Sequence, residues 1–163
     1  MKYIILICSI LTASYNAPSH KIVRKSCYHE FAIDTSRYAI LKFNDRDSLF
    51  GKGCKPTVLT SSDIKKIEDL ISKTIAQYNK MSKGSWKIKH IHKYYKQLIA
   101  VVNANGEKEV WVNCLCNVSE WGSKGPNWKH DVVEVMDGGP CYFNLKINLS
   151  KGTAYTFSVN GVG

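Results

Sequence analysis

From Tyr94 to Gly161 the residues alternate and break in a pattern that a run of antiparallel strands satisfies. Tyr94-Tyr95-Lys96-Gln97-Leu98-Ile99-Ala100-Val101-Val102 leads through Asn103-Ala104-Asn105-Gly106 into Glu107-Lys108-Glu109-Val110-Trp111-Val112-Asn113-Cys114-Leu115-Cys116. An Asn-Gly pair between two strand-like runs is a strong hairpin signal, because both central residues of a type I′ turn need positive φ. A second hairpin is expected from Cys141–Leu149 and Thr153–Asn160, turning through Ser150-Lys151-Gly152. Alternation then assigns faces. Cys141, Phe143, Leu145, Ile147 and Leu149 point one way, and Tyr142, Asn144, Lys146 and Asn148 the other. Val110, Val112, Cys114 and Cys116 share a face opposite Trp111, Asn113 and Leu115. The pattern predicts one sheet face packed on a helix and the other in contact with water.

The helix is predicted over Ser61–Asn79. Ile64, Ile67, Leu70, Ile71, Ile75 and Tyr78 recur at three and four, forming one stripe. Thr60 suits the N-cap, Asp63 the N3 position, and Leu59 can staple onto Ile64. An earlier strand is predicted over Tyr38–Phe43, followed by a Gly- and Asp-rich loop over Asn44–Pro56. One helix followed by antiparallel strands defines an α+β domain, a helix packed on a curved antiparallel sheet of four to five strands.

Two blocks within that sheet resemble a family of small exported proteins of Bacteroidetes bacteria. They are Tyr95–Cys114 (with its Val101-Val102-Asn103-Ala104-Asn105-Gly106 turn) and Asp137-Gly138-Gly139-Pro140-Cys141 running on to Leu149, joined by Ser158-Val159-Asn160-Gly161. The resemblance covers about the last 70 residues. It implies export and a cystatin-like element order, and it carries no activity.

The N-terminus agrees with export. Met1-Lys2 is a short positive start, and Tyr3–Leu11 is apolar but shorter than the ~20 residues a bilayer span needs. Thr12-Ala13-Ser14 offers the small residues of a cleavage site. We therefore expect a signal peptide over 1–14, a polar lead-in over 15–27, and one domain over 28–163, secreted or periplasmic. Five cysteines would remain, Cys27, Cys54, Cys114, Cys116 and Cys141, in a compartment where disulfides persist. Cys141 is expected to pair with Cys114 or Cys116, since neighbouring strands bring their Cβ atoms together. Cys27 and Cys54 are expected to pin the lead-in to the loop before the helix.

Catalytic and metal chemistry find little purchase. No Cys-x-x-Cys or His-x-x-x-His spacing is present, so no metal or cofactor is expected. The histidines His20, His29, His90, His92 and His130 sit in no cysteine-protease signature. Gly51-Lys52-Gly53 lacks the spacing of a phosphate loop. The acids Asp45 and Asp47, Glu68 and Asp69, and Glu107 and Glu109 read as solvated turns or faces. A thiol-dependent enzyme is the weaker alternative. A cystatin-like peptidase inhibitor is another, but Gln97-Leu98-Ile99-Ala100-Val101 lacks a glycine and lies mid-strand, and Pro126-Asn127-Trp128 carries an inserted residue.

Charge is the feature above background. The chain has a net charge of +10, and Leu70–Gly106 contains no Asp or Glu. Lys73, Lys80, Lys83, Lys87, Lys89, Lys93 and Lys96 gather there with Trp86, Tyr94 and Tyr95. Read as an extended strip, Lys87, Lys89 and Lys93 share one face, with Trp86, Tyr94 and Tyr95 available for stacking. The loop over Asn117–His130 adds Trp121 and Trp128 as further contact residues. The expected function is a non-catalytic interaction module. Its partner would be a protein, an anionic glycan or a lipid, and an exported address disfavours nucleic acid.

Overall fold

Leu98-Ile99-Ala100-Val101 is an uninterrupted apolar run, and such a run is at home only in a strand buried on both faces. In the computed structural model this strand is the centre of the protein, and all four residues are buried. The structure describes residues 35–44, 49–119 and 125–162. These belong to one compact unit, Ala32–Gly163. The signal peptide, the lead-in, Cys27 and Trp121 lie outside the described residues.

Six strands and one long helix make up the fold: β1 Tyr38–Leu41, β2 Lys55–Pro56, α1 Ser61–Met81, β3 Tyr95–Val102, β4 Lys108–Leu115, β5 Tyr142–Asn148 and β6 Thr153–Val159. The sheet order is β1-β3-β4-β5-β6, and β2 also pairs with β3. The α+β architecture expected from sequence is present, with two additions. The sheet has six strands, and β1 runs parallel to β3 in the register Ala39↔Gln97 and Leu41↔Ile99. A parallel neighbour requires a crossover connection, which α1 supplies. Both outer strands are poor templates for further pairing. β1 has four residues and ends at Leu41 rather than Phe43. β6 is broken by a bulge between its Asn144 and Lys146 pairings, where Thr156 takes φ +52°.

The helix begins where its caps say. Thr60 Oγ1 accepts from the Asp63 N–H at 3.2 Å, while Asp63 accepts from the Thr60 N–H at 2.9 Å. Lys108 Nζ reaches the same carboxylate at 2.9 Å and ties the first hairpin to the helix start. Ile64, Ile67, Leu70, Ile71 and Ile75 are buried against Leu98, Ala100, Val110, Val112, Cys114, Phe143, Leu145 and Ile147, with Leu59 packed alongside.

The opposite sheet face is not wet. Ile99 and Trp111 form a second cluster with Ala39 and Leu41, closed by Phe43, Leu49, Phe50, Trp128 and Val132. Leu115 and Tyr142 form a third with Val133. The segment 126–135 covers this face although it has no strand or helix of its own, so sequence periodicity could not announce it. Its attachment is polar. Gln97 is 0% exposed; its Nε2 donates to the carbonyls of Trp128 (2.7 Å) and Asp131 (2.6 Å). Gln97 Oε1 accepts from Val133 N–H (3.0 Å) and from Asn113 Nδ2 (3.0 Å), which also donates to the Val133 carbonyl (2.8 Å). Gln97 and Asn113 are register partners on adjacent strands, so one cross-strand amide pair satisfies a loop that would otherwise bury bare backbone groups.

The first hairpin turns differently from the expected type I′ geometry. Gly106 N–H bonds to the Asn103 carbonyl at 2.9 Å, and Gly106 (φ +78°) is the turn residue with positive φ. This is a type I turn followed by a left-handed glycine, the three-residue hairpin loop. Asn103 Oδ1 holds it by accepting from Asn105 N–H (2.9 Å) and Glu107 N–H (3.0 Å).

Two outcomes follow for stability. Gln97→Ala should destabilise the protein by about 3 kcal/mol in denaturant titration, because it strands buried backbone groups of the covering segment. The exposed Ile40→Ala should stay within about 0.5 kcal/mol. Burial pushes the Asp63 carboxyl up, but the Thr60 N–H and Lys108 outweigh it and hold the group below its ordinary range. A carboxylate held low in the folded state stabilises at neutral pH and loses that contribution as pH falls through its folded value. The stability gap between wild type and Asp63→Asn should therefore be full at pH 7 and close on the acid side of the ordinary carboxylate range.

Candidate functional site

The acid-free window does not form an extended strip. After α1 ends at Met81 the chain makes two 3₁₀ turns, Gly84–Trp86 and Ile91–Lys93, with β3 starting only at Tyr95. Gly84 (φ +56°) and His90 (φ +53°) make the reversals. Lys87 and Lys89 flank Ile88, which is buried at 3% exposure and serves as an anchor. Lys87 and Lys89 therefore flank one buried residue on a looped segment, not along the extended strip expected from sequence.

The loop is held at its base. Asn79 Nδ2 donates to the Ile88 carbonyl at 2.8 Å, and Ile88 N–H donates to Asn79 Oδ1 at 2.9 Å. This two-point amide bridge mimics a strand pairing and closes residues 80–87, the last two of α1 and the turn after it, into a loop. Lys80, Lys83, Lys87, Lys89 and Lys93 are all exposed. The salt bridges seen among the described residues use other lysines: Lys96 with Glu68, Lys108 with Asp63 and Lys151 with Glu107. His90 and His92 are exposed beside one another, ring centroids 6.1 Å apart.

The aromatic residues separate into two groups. Trp86 is 40% exposed and stands at the surface of the loop. Tyr94 is not available for stacking: it is buried against Phe143, its hydroxyl donates to the Pro140 carbonyl, and burial pushes its pKa up. Tyr95 and Trp128 pack edge to face at 5.0 Å, and their own cations cover them. Arg37 lies over Tyr95 at 4.9 Å and Lys129 over Trp128 at 4.2 Å. Arg37 also donates to the Lys93 carbonyl, and Lys129 to the carbonyls of Ser36 and Tyr38. Tyr95 and Trp128 thus clasp β1 to the covering segment, a cation–π arrangement that leaves them little surface for a ligand.

The cysteines resolve the open pairing. Cys116 is bonded to Cys141, and the Cys116 N–H donates to the Cys141 carbonyl at 2.9 Å. The bridge continues the β4–β5 ladder past Leu115↔Tyr142 and closes the loop carrying the covering segment. With a sequence separation of 25 it contributes about 3 kcal/mol. Cys116 is exposed and Cys141 half-buried, so neither occupies the helix-facing core expected from alternation. Cys114 does, opposite Lys96 in the ladder. Burial drives the Cys114 thiol far above its ordinary value despite the pull of the Lys96 ammonium. Lys96 is itself only 2% exposed, 3.4 Å from Glu68 and donating to the carbonyls of Ile91 and Tyr94. Cys54 is a half-buried free thiol. It borders an open groove of about 590 Å³ with Lys42, Phe43, Asn44 and Pro56.

One polar group escaped the sequence reading. Glu107 and Glu109 are not simply solvated: Asn103 Nδ2 and Asn148 Nδ2 each bridge both carboxylates. Tyr155 donates to Glu109, and Lys151 to Glu107. Both asparagine oxygens are spent on turn N–H groups, so this knot locks the ends of the two hairpins and offers no free acceptor set for a cation. Among the described residues no group of three or more His, Cys, Asp or Glu could hold a metal ion. No described helix is long and apolar enough to cross a membrane.

No protein-family model matches this chain, and neither does any curated protein or solved structure.

Alkylation with iodoacetamide should distinguish the thiols. Peptide mapping of the native protein should find label on Cys54 and none on Cys114, which should react only after unfolding; native labelling of Cys114 would contradict its burial.

Proposed function

We propose that this protein is an exported, non-catalytic binding module whose contact surface for anionic polymers or envelope surfaces is the segment Lys80–Lys93. The observation carrying the reading is the concentration of exposed lysines on a pinned loop, with no carboxylate in the surrounding sequence to neutralise them. Surface charge so arranged raises the local concentration of an anionic partner and steers its approach. Five other cations are engaged in structure: Lys96, Lys108 and Lys151 in ion pairs, Arg37 and Lys129 in the aromatic clasp.

The thiol-enzyme alternative has the state of Cys114, Cys116 and Cys141 against it. Cys114 is buried with a raised pKa, and Cys116 is bonded to Cys141; a reactive thiol needs access and a depressed pKa. Cystatin-like inhibition has Gln97 against it, since that side chain is fully buried and committed to holding the covering segment. The cystatin-like likeness is kept at the level of one helix followed by antiparallel hairpins, and export at the level of the apolar N-terminus.

Charge reversal provides the test. Lys87→Glu, Lys89→Glu and Lys93→Glu together should abolish heparin binding. A variant of equal net charge with Lys52→Glu, Lys65→Glu and Lys73→Glu should retain most of it, because those three are exposed elsewhere. Equal loss in both would mean bulk charge alone, and the reading would be wrong. Wild-type binding should also weaken steeply with added salt.

A further inference from the structure

We propose that the loop between Asn79 and Ile88 docks the protein onto anionic lipid bilayers, an inference that rests on the cationic-surface reading above and names its partner. The loop shows more than charge. Met81 is 77% exposed and Trp86 40% exposed, and the exposed Lys80, Lys83 and Lys87 are their near neighbours in the chain. Large side chains at such exposure are unfavourable in water and call for a reason when they gather.

They do gather. The 3₁₀ turn carrying Trp86 packs on the turn Gly139–Cys141. Gly139 adopts φ +56°, and a Cβ there would stand 3.1 Å from Val162 and 4.0 Å from the Trp86 ring. Val162 and Trp86 therefore both approach the open side of Gly139. Val162 is 67% exposed, and Met136, in the adjoining loop, is 92% exposed. That loop is fixed in place: Asn160 Nδ2 donates to the carbonyls of Val135 and Asp137, and Gly139 N–H to that of Gly161. Of the seven large apolar side chains exposed among the described residues, Trp86 and Val162 lie beside Gly139, Met81 stands five residues before Trp86 in the chain, and Met136 three residues before Gly139.

The chemistry of the partner follows from the pairing of the two features. A soluble polyanion would engage the lysines and leave two methionines and a valine unused. A bilayer engages both, because apolar side chains enter the headgroup–acyl boundary while lysines meet anionic headgroups. Trp is well suited to that boundary, with an apolar body and a donor on its rim. The amide bridge at Asn79 and Ile88 means the loop arrives ordered, so little conformational entropy is lost on docking.

The experiment is cosedimentation of the full chain with vesicles, read beside heparin binding in solution. Wild type should sediment with phosphatidylcholine vesicles holding about one-third phosphatidylglycerol, and not with phosphatidylcholine alone. Replacing Met81, Trp86 and Met136 by Ser leaves charge untouched; it should cut vesicle affinity by about tenfold or more while heparin binding stays unchanged. The Lys87, Lys89 and Lys93 reversal should lose both ligands. If the serine variant sediments like wild type, or if wild type binds heparin but ignores the anionic vesicles, the bilayer inference is overturned and the cationic-surface reading stands. If the lysine reversal leaves heparin binding at the level of its charge-matched control, the underlying reading fails instead.

Discussion

The structure depends on β3 being enclosed on every side. β1 and β2 pair with one of its edges and β4 with the other, so its backbone groups find partners within the sheet. Leu98 and Ala100 face the isoleucine stripe of α1, while Ile99 faces Trp111 and the second cluster. A strand in that position has no tolerance for slippage. Moving its register by one residue would drive Gln97 among the isoleucines and Leu98 against the carbonyls of Trp128 and Asp131, and both placements are costly.

Two consecutive residues of β3, pointing to opposite faces, place the two irregular segments of the protein. Lys96 reaches the carbonyls of Ile91 and Tyr94 on the helix side, with Glu68 balancing its charge. Gln97 reaches the carbonyls of Trp128 and Asp131 on the far side. Neither segment has an α-helix or long strand to satisfy its backbone, so each takes a buried side chain from β3, with Asn79 assisting on the helix side and Asn113 on the far side. Among the described residues no buried side-chain polar atom lacks a partner. Completeness of this kind matters because a half-satisfied buried network is worse than an apolar core.

The same distinction separates structural from available cations. Lys96, Lys108, Lys129 and Arg37 are drawn inward onto carboxylates, carbonyls and aromatic faces. Lys80, Lys83, Lys87, Lys89 and Lys93 stay outside, on a segment whose shape is set by Asn79, Ile88 and two residues of positive φ. The display of exposed lysines near Trp86 and Met81 in the chain is a feature of this segment.

Much of the scaffold was written locally in the chain. The helix, its capping box and its staple were legible because their signals lie within a few residues of one another and repeat at the helical period. The two hairpins were legible for the same reason, from alternation broken by Asn and Gly, although the type I turn with a left-handed Gly106 depended on Asn103 reaching across the loop. The exposed lysine-rich window could also be read directly, since an acid-free composition needs no folding to be seen. Tertiary structure alone decided that Tyr94, Tyr95 and Trp128 are spent on packing, that Cys141 joins Cys116 while Cys114 stays in the core, and that the far sheet face is dry. The reason is physical: the segment 126–135 has no periodicity, and partners distant in the chain bring it onto the sheet, Gln97 and Asn113 for its backbone groups and the apolar clusters for Trp128, Val132 and Val133.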